Sequence, residues 1–324
     1  MKKGALCLLS ALLLGGLASC NGNNNGKKEI GVLQFGSFPA LENAKKGFVD
    51  ALKESVINDD INIVIKNADA NSGNNATMAS TLASTSDLVY GIATPSAKAL
   101  KSSVDSLGFD IPVLFAAVTN PKGAALVDNL EAPEGNCTGV VDLGPYEQEL
   151  EYATLFDGVD KISSFFTSTE VNSVYQADLA ETWMDSHHIS HRRDTISNAS
   201  EIKSKFAAIP DDVDAVFLPT DDTVADKIAL IKEANRERVK PLIIVGSDVG
   251  MIEGCTFALG VDFYKCGVQA ANLAISILKD GKKMNELPVE RCDVNQLMLN
   301  RTEATELGIA IPQALLDVEG AVIQ

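Results

Sequence analysis

The sequence predicts an α/β protein built from two doubly wound, Rossmann-like lobes. Three observations lead to this prediction. Short apolar runs alternate with segments of helical periodicity from Glu29 onward, this series occurs twice along the chain, and polar residues follow the ends of several apolar runs. Because such alternation is typical of parallel sheets covered by helices on both faces, we expect two sheets in succession.

The first series contains four predicted strands with a helix after each of the first three. The strands are EIGVLQF, INIVIKNA, DLVYGIA and IPVLFAA, and the helices are ALENAKKGFVDALKES, ATMASTLAS and PSAKALKSSVDS. In the first helix, Leu41, Phe48 and Leu52 share one face, whereas Lys45 and Lys53 lie on the other. This amphipathic pattern predicts a helix that packs on a sheet.

The second series repeats the pattern, and a shorter segment follows it. The predicted strands are KISSFFTS, ISHRRDTIS, DAVFLPT and PLIIVGS, and the predicted helices lie around NSVYQADLAETWMDS, EIKSKFAAI and TVADKIALIKEANRER. After them come an amphipathic helix, FYKCGVQAANLAISILKDGKK, and the short runs ELPVERCDV and NQLMLN. These last pieces are too small to fold alone, so we expect the chain to cross between the lobes more than once.

The first residues differ in kind from the rest of the chain. MKK is a basic start, ALCLLSALLLGGLA is apolar but too short to span a membrane stably, and LASC places small residues before Cys20. This pattern predicts that residues 1–20 are a lipoprotein signal peptide with a lipobox and that Cys20 is the lipid attachment site. Residues 21–28, a polar Gly/Asn tract, suit a flexible tether. The alternative is an ordinary signal peptide with an incidental cysteine; the favoured interpretation is an extracytoplasmic, membrane-anchored protein.

Charge and cysteine spacing exclude some classes of partner. The chain has 44 Asp and Glu against 27 Lys and Arg, and no basic block is present, so nucleic acid is not an expected partner. The cysteines after Cys20 form no CxxC pair, so the usual zinc spacing is absent. We expect these cysteines to be mostly small core residues, although export would permit a disulfide. They are Cys137, Cys255, Cys266 and Cys292.

The sequence offers no reacting group for an enzyme. Gly31 and Gly36 have the spacing of a P-loop, but Ser37 and Phe38 stand where lysine and Ser or Thr are needed. No GxGxxG follows a strand, and no GxSxG elbow is present. We therefore predict a protein that is not an enzyme and needs no cofactor.

The histidines form one cluster in DSHHISHRRD. His187 and His191 are four residues apart, a spacing that allows a metal site. The favoured interpretation is a polar helix end that passes into an outer strand, because no carboxylates stand at matching spacing. The sequence therefore predicts no metal site, and metal binding by His187, His188 and His191 stays an alternative.

Polar side chains follow the ends of four predicted strands. They are Thr94 and Ser96, Thr119 and Asn120, Thr220 to Thr223, and Ser247 and Asp248. Ligands of open parallel sheets bind outside the carboxyl ends of the strands, where helix N-termini offer unpaired N–H groups. Any one of these residues fits the role of helix N-cap equally well. Their recurrence in both series favours a ligand site between the lobes.

The order of several segments resembles the substrate-binding lipoproteins of ABC transporters of the tryptophan- and tyrosine-binding type. The segments include IATPSAKAL, VLFAAVTNP, STEVNSV, LPTDDTVADKI and LGVDFYKCGVQAANLAISILKDGK, and the resemblance covers the whole mature chain. It implies a type I periplasmic-binding fold with a multi-strand hinge. The implied lobes are 29–140 with 261–292 and 141–260 with 293–324. The implied partners of this monomer are a small-molecule solute, with an amino acid favoured, and the permease and ATPase of an ABC transporter.

The resemblance also implies binding residues. IATPSA matches the family's segment at Thr94 and Ser96, VTNP resembles VTDP but has Asn120 in place of an acid, and the NSV and PTDNTV elements match at further positions. The expected ligand-binding set is Phe38, Thr94, Ser96, Thr119, Asn120, Asn172, Ser173, Thr220, Asp221 and Asp248.

Chemical roles follow for the main members of this set. A zwitterion needs a carboxylate acceptor for its ammonium group, and Asp221 is the expected acceptor. Phe38 is expected to stack on an aromatic side chain. We expect Asp222 to point away from the cleft and Phe35 to lie in the core.

Two other functions stay open at this point. One is a sugar- or nucleoside-binding member of the same fold, although the single tryptophan, Trp183, argues against the stacking that such ligands use. The other is a sensory lipoprotein without a transporter.

Overall fold

The computed structural model describes residues 26–293 and 297–324. Its strands are β1 (Lys28–Gln34), β2 (Ile61–Asn67), β3 (Leu88–Ile92), β4 (Val113–Val118), β5 (Cys137–Val141), β6 (Lys161–Thr167), β7 (Ser190–Ile196), β8 (Ala215–Leu218), β9 (Ile243–Gly246), β10 (Phe257–Ala258), β11 (Glu290–Arg291), β12 (Met298–Leu299) and β13 (Val322–Ile323). Its helices are α1 (Pro39–Glu54), α2 (Ser72–Thr85), α3 (Thr94–Leu107), α4 (Tyr146–Thr154), α5 (Val171–Ser186), α6 (Ile202–Ala207), α7 (Asp222–Asp226), α8 (Ile228–Arg236), α9 (Phe263–Leu278), α10 (Arg301–Glu306) and α11 (Gln313–Leu316). The predicted Cys20 anchor and part of its tether lie outside the described residues.

The strands form two sheets, as the alternating pattern predicts. The first sheet has the order β11-β5-β4-β3-β1-β2, and the second has the order β13-β12-β10-β9-β8-β6-β7. The pairs within the first sheet are parallel, and in the second sheet β10 and β12 pair antiparallel. The predicted class, two doubly wound α/β lobes, is confirmed.

Each sheet is covered on both faces by apolar side chains. In the first sheet, one cluster joins α1 and α9 to the strands, and Phe48 stacks on Tyr90 with ring centroids 4.0 Å apart. The helices α1 and α9 approach closely because each has a glycine that faces the backbone of the other helix. A Cβ on Gly47 would lie 1.9 Å from the Tyr264 carbonyl oxygen, and one on Gly267 would lie 2.0 Å from the Ala44 carbonyl oxygen. The late helix α9 therefore packs on the first sheet.

The chain passes between the two sheets three times. It leaves the first sheet after β5, returns after β10 through α9, and leaves again after β11. The repeated passage accommodates the late segments of the sequence, which add strands to both sheets. Val141 pairs with Arg291 in the first sheet. The lobe boundaries stated above remain a prediction.

Several local features differ from the sequence-based expectation. The helix predicted over TVADKIALIKEANRER is two helices, α7 and α8, separated at Lys227. Cys137 and Cys255 are buried and free, as expected for core cysteines. Cys266 and Cys292 instead form a disulfide that ties α9 to the segment after β11.

In the described ranges, no helix is long and apolar enough to cross a membrane.

Candidate functional site

A cavity of about 380 Å³ lies between the loops at the carboxyl ends of the two sheets. The first sheet's side contributes Phe35, Phe38, Leu41, Ala70, Thr94 and Ala117. The second sheet's side contributes Glu170, Asn172, Thr220, Asp222 and Thr223, while Asp142 and Phe263 come from segments near the crossings. None of the described residues that line the cavity is Lys, Arg or His. The cavity therefore combines phenyl rings with carboxyl groups.

Three alanines of the cavity wall adopt left-handed backbone conformations. The φ angles are 55° at Ala70, 78° at Ala93 and 54° at Ala117. A non-glycine residue in this region costs on the order of 1 kcal/mol or more, and such residues cluster at binding sites. The first sheet's wall is thus bent locally where it borders the cavity.

Two helices of the first sheet begin at the cavity. Phe38 is the N-cap of α1 and Ala93 is the N-cap of α3, and neither side chain makes a capping hydrogen bond. The first N–H groups of a helix have no partner within the helix, and the positive end of its dipole lies there. This wall is therefore suited to an anionic group such as a carboxylate.

On the second sheet's side, Glu170 and Asp222 form a carboxyl pair. The Glu170 carboxylate accepts hydrogen bonds from the backbone N–H groups of Asp222 at 3.0 Å and Thr223 at 3.1 Å, and from the Thr223 hydroxyl at 2.7 Å. Burial, with the nearby charge of Asp221, raises the pKa of Glu170 to about 7. Burial, together with Glu170, raises the pKa of Asp222 well above its ordinary value. Such a pair is suited to a protonated amine.

Asp142 follows β5 and lines the cavity from the first crossing. Its side chain is 3% exposed, and its Oδ1 atom has no hydrogen-bonding partner among the described residues. Burial raises the pKa of Asp142 to about 6. The Thr220 hydroxyl, also at the cavity, likewise has no partner in the described part of the chain.

Four members of the predicted binding set line this cavity. They are Phe38, Thr94, Asn172 and Thr220. Asn120 lies instead in an adjoining groove that it shares with Thr94, Asn172 and Tyr175. The remaining members, Ser96, Thr119, Ser173, Asp221 and Asp248, are buried and do not line the cavity. The polar residues at the strand ends therefore locate the site but do not identify each contact.

Three of these buried residues have local structural partners. The Ser96 hydroxyl donates to Asn75 Oδ1 at 2.9 Å, and the Ser173 hydroxyl donates to the Thr220 carbonyl at 3.0 Å. Asp248 accepts from the Gly250 N–H at 2.8 Å as a helix cap. These contacts support the capping and packing roles that each residue fits individually.

Of the two adjacent aspartates, the one that lines the cavity is Asp222 and not Asp221. Asp221 is the N-cap of α7 and accepts from the Val224 N–H at 2.8 Å, the Thr167 N–H at 2.7 Å and the Thr167 hydroxyl at 3.0 Å. The prediction that Asp222 points away is wrong, because Asp222 lines the cavity. An N-cap side chain folds back onto its own helix, so the next residue projects from the first turn.

Glu170, Asp142 and Phe263 line the cavity although the sequence pattern did not predict them, and Phe35 was expected in the core alone. Phe35 packs against the core and also lines the cavity. Asp142 follows the buried run CTGVV, so the rule applied to the other strand ends applies to it as well. Phe263 has no such signal, because only the fold brings the start of α9 to the cavity.

The histidine cluster has other partners. His191 Nε2 lies 3.0 Å from Asp185 Oδ1, and the His187 ring stacks on Trp183 with centroids 3.9 Å apart. Within residues 26–293 and 297–324, no group of three or more His, Cys, Asp or Glu residues is arranged to hold a metal ion.

Two α/β units with a polar and aromatic cavity between their strand ends define a two-lobed ligand-binding protein. The chain belongs to the family of ABC transporter substrate binding proteins, whose family model matches residues 29–323. Members of this family bind solutes outside the cytoplasm, and the resemblance noted in the sequence is confirmed.

Named relatives support the same family. The chain is 32% identical over 279 residues to the tyrosine-binding protein of Clostridioides difficile strain R20291, covering 85% of this chain and 79% of the relative. It is 32% identical to the ABC domain in complex with L-Trp from Streptococcus pneumonia, with a TM-score of 0.83 and coverage of 92% of this chain and 100% of the other.

A further relative was solved without ligand. The open structure of a substrate binding protein with adhesive properties from Clostridium difficile has a TM-score of 0.73 at 27% identity, covering 92% of this chain and 99% of the other. This chain therefore has similar solved structures both with and without ligand.

Proposed function

We propose that the cavity binds an aromatic amino acid as a zwitterion and that the protein delivers it to the permease and ATPase of an ABC transporter. The observation that carries the proposal is the asymmetry of the cavity. Its first wall has helix N-termini and phenyl rings, and its second wall has the Glu170 and Asp222 carboxyl pair.

The two charged groups of the ligand find partners on opposite walls. The ammonium group donates to Asp222 and Glu170, where a charge-assisted hydrogen bond in a water-poor site is strong. The carboxylate accepts from first-turn N–H groups of α1 and α3. Thr94, at the start of α3, borders this position. A zwitterion therefore contacts both lobes at once.

The aromatic ring fits among the phenyl side chains of the cavity. Phe35, Phe38 and Phe263 all line it, and offset or edge-to-face packing of rings contributes about 0.5–1.5 kcal/mol per pair beyond burial. The tyrosine-binding relative and the L-Trp complex support an aromatic ligand. A sugar or nucleoside would leave the Glu170 and Asp222 carboxyl pair, the acid pair of this site, without a cation.

Closure of the lobes would couple binding to transport. We propose lobes of residues 29–140 with 261–292 and 141–260 with 293–324, which rotate about the three crossings. Ligand contacts made to both walls exist together only in the closed state, so binding shifts the population toward closure. A monomer is sufficient for this mechanism.

A panel of ligands tests the function. Thermal unfolding of the purified mature protein should shift upward with tyrosine or tryptophan and stay unchanged with nucleosides and sugars, because only a ligand that binds the native state stabilises it. Small-angle scattering should show a smaller radius of gyration with saturating ligand. A shift with a sugar alone, or an unchanged radius at saturation, would contradict the proposal.

We also propose that lipid on Cys20 anchors the protein to a membrane. In cells, Cys20→Ala should move the protein from the membrane fraction to the soluble fraction. Cys7→Ala, which changes a cysteine in the same signal segment, is the matched control and should leave the protein at the membrane. Membrane retention of the Cys20→Ala variant would overturn the anchor.

A further inference from the structure

Asp142 is a buried acid of the cavity lining, and the nearby Thr119 hydroxyl partly offsets the rise that burial causes in its pKa. It follows β5 at the first crossing, its side chain is 3% exposed, and its Oδ1 atom has no hydrogen-bonding partner in the described part of the chain. A buried polar atom without a partner costs about 1–3 kcal/mol, so native structures retain few of them. An acceptor left in this state beside a cavity indicates that a ligand donor pairs with it.

Asp142 lies on the first sheet's side of the cavity, within electrostatic reach of Asp222 on the opposite side. Its backbone N–H donates to the Val118 carbonyl at 3.4 Å, which places it beside Ala117 on the first sheet's wall. Ala117 and Phe263 belong to one apolar cluster, against which Phe35 packs. Glu170 and Asp222 instead begin α5 and α7 on the second sheet's side. Asp142 therefore borders the part of the cavity that suits an aromatic ring.

We propose that Asp142 is a specificity-determining residue that accepts a hydrogen bond from the side chain of the ligand, the phenol O–H of tyrosine or the indole N–H of tryptophan. This inference rests on the proposed function. It adds that phenylalanine, whose ring has no donor, is discriminated against. Phenylalanine would bury the Asp142 carboxyl group without a partner, and a site built to bond a substrate hydroxyl rejects the analogue that lacks it.

Calorimetry with three amino acids tests the inference. The wild-type protein should bind tyrosine or tryptophan at least about 100-fold more tightly than phenylalanine, well within the range that such sites reach. In Asp142→Leu, which keeps the branching and the number of side-chain heavy atoms but has no acceptor, affinity for the better ligand should fall toward that for phenylalanine. Affinity for phenylalanine should be retained or improved, and this serves as the control for folding.

The conservative variant separates a hydrogen-bond acceptor from a charge. Asp142→Asn keeps an acceptor oxygen and loses the negative charge, so it should retain the preference over phenylalanine. Equal losses for all three ligands in both variants would make Asp142 a partner of the ammonium group and overturn the inference. Equal affinity of the wild-type protein for all three would also overturn it while leaving the proposed function intact. Failure of all three amino acids to bind would contradict both this inference and the proposed function.

Discussion

Replacing Asp222 with asparagine should weaken binding of the amino acid by about 2–5 kcal/mol, which is more than tenfold. The reason is that Asp222 lines the cavity and the ligand's ammonium group would lose its charged partner. Asparagine has nearly the same shape, so the loss reports charge and not packing. Isothermal titration calorimetry with the ligand identified by the panel measures the change directly.

The neighbouring aspartate is the matched control. Asp221→Asn changes the same atoms one residue earlier, but Asp221 caps α7 and bonds to Thr167 away from the cavity. Its loss should lower the free energy of unfolding by at least about 1 kcal/mol, because the helix cap and the bonds to Thr167 are both weakened, and should reduce affinity much less than Asp222→Asn does. A large loss of affinity in Asp221→Asn, with near-native binding by Asp222→Asn, would restore the order predicted from the sequence.

Binding should also weaken as the pH falls. In the free protein, burial raises the pKa of Glu170 to about 7 and holds that of Asp222 well above its ordinary value. An ammonium group beside them favours their ionised forms and lowers both pKa values in the complex. A group whose pKa is lower in the complex contributes its full share of affinity at pH values above its pKa in the free protein. This contribution is lost as the pH falls through the lower pKa that the group has in the complex.

The expected size of this effect is up to about tenfold in affinity per pH unit for each proton released. Calorimetry at pH 8 and pH 5.5 measures it, and titration in buffers of different ionisation enthalpy counts the protons. Because the pKa of Glu170 is about 7, Glu170→Gln should reduce the number of protons released near neutral pH. An affinity that is independent of pH, with heats that do not depend on the buffer, would contradict the acid pair as the ammonium site.

Much of the architecture could be predicted because it depends on local pattern. The alternation of buried runs such as LVYGI and VLFAAV with amphipathic helices is a property of neighbouring residues, and it predicts parallel strands without knowledge of the fold. Carboxyl ends of parallel strands share one edge, so Thr94 and Thr220 were expected at one site and both line the cavity. The fold class and the region of the site therefore follow from the sequence alone.

The identity of each contact depends on directions that the sequence pattern does not contain. Asp221 and Asp222 are adjacent and chemically identical, and only the backbone at the start of α7 decides which one caps the helix and which one borders the cavity. Spacing alone likewise allowed several cysteine pairings, and the packing of α9 beside β11 brought Cys266 to Cys292.

The sequence by itself determined the α/β series, the cleft at the strand ends and the family. Tertiary structure alone decided that Phe263 reaches the cavity and that Asp142 is buried there with its Oδ1 atom unpaired among the described residues. The physical reason is that strand and helix periodicity arise from contacts between near neighbours, whereas the lining of a cavity arises from crossings that join residues far apart in the chain.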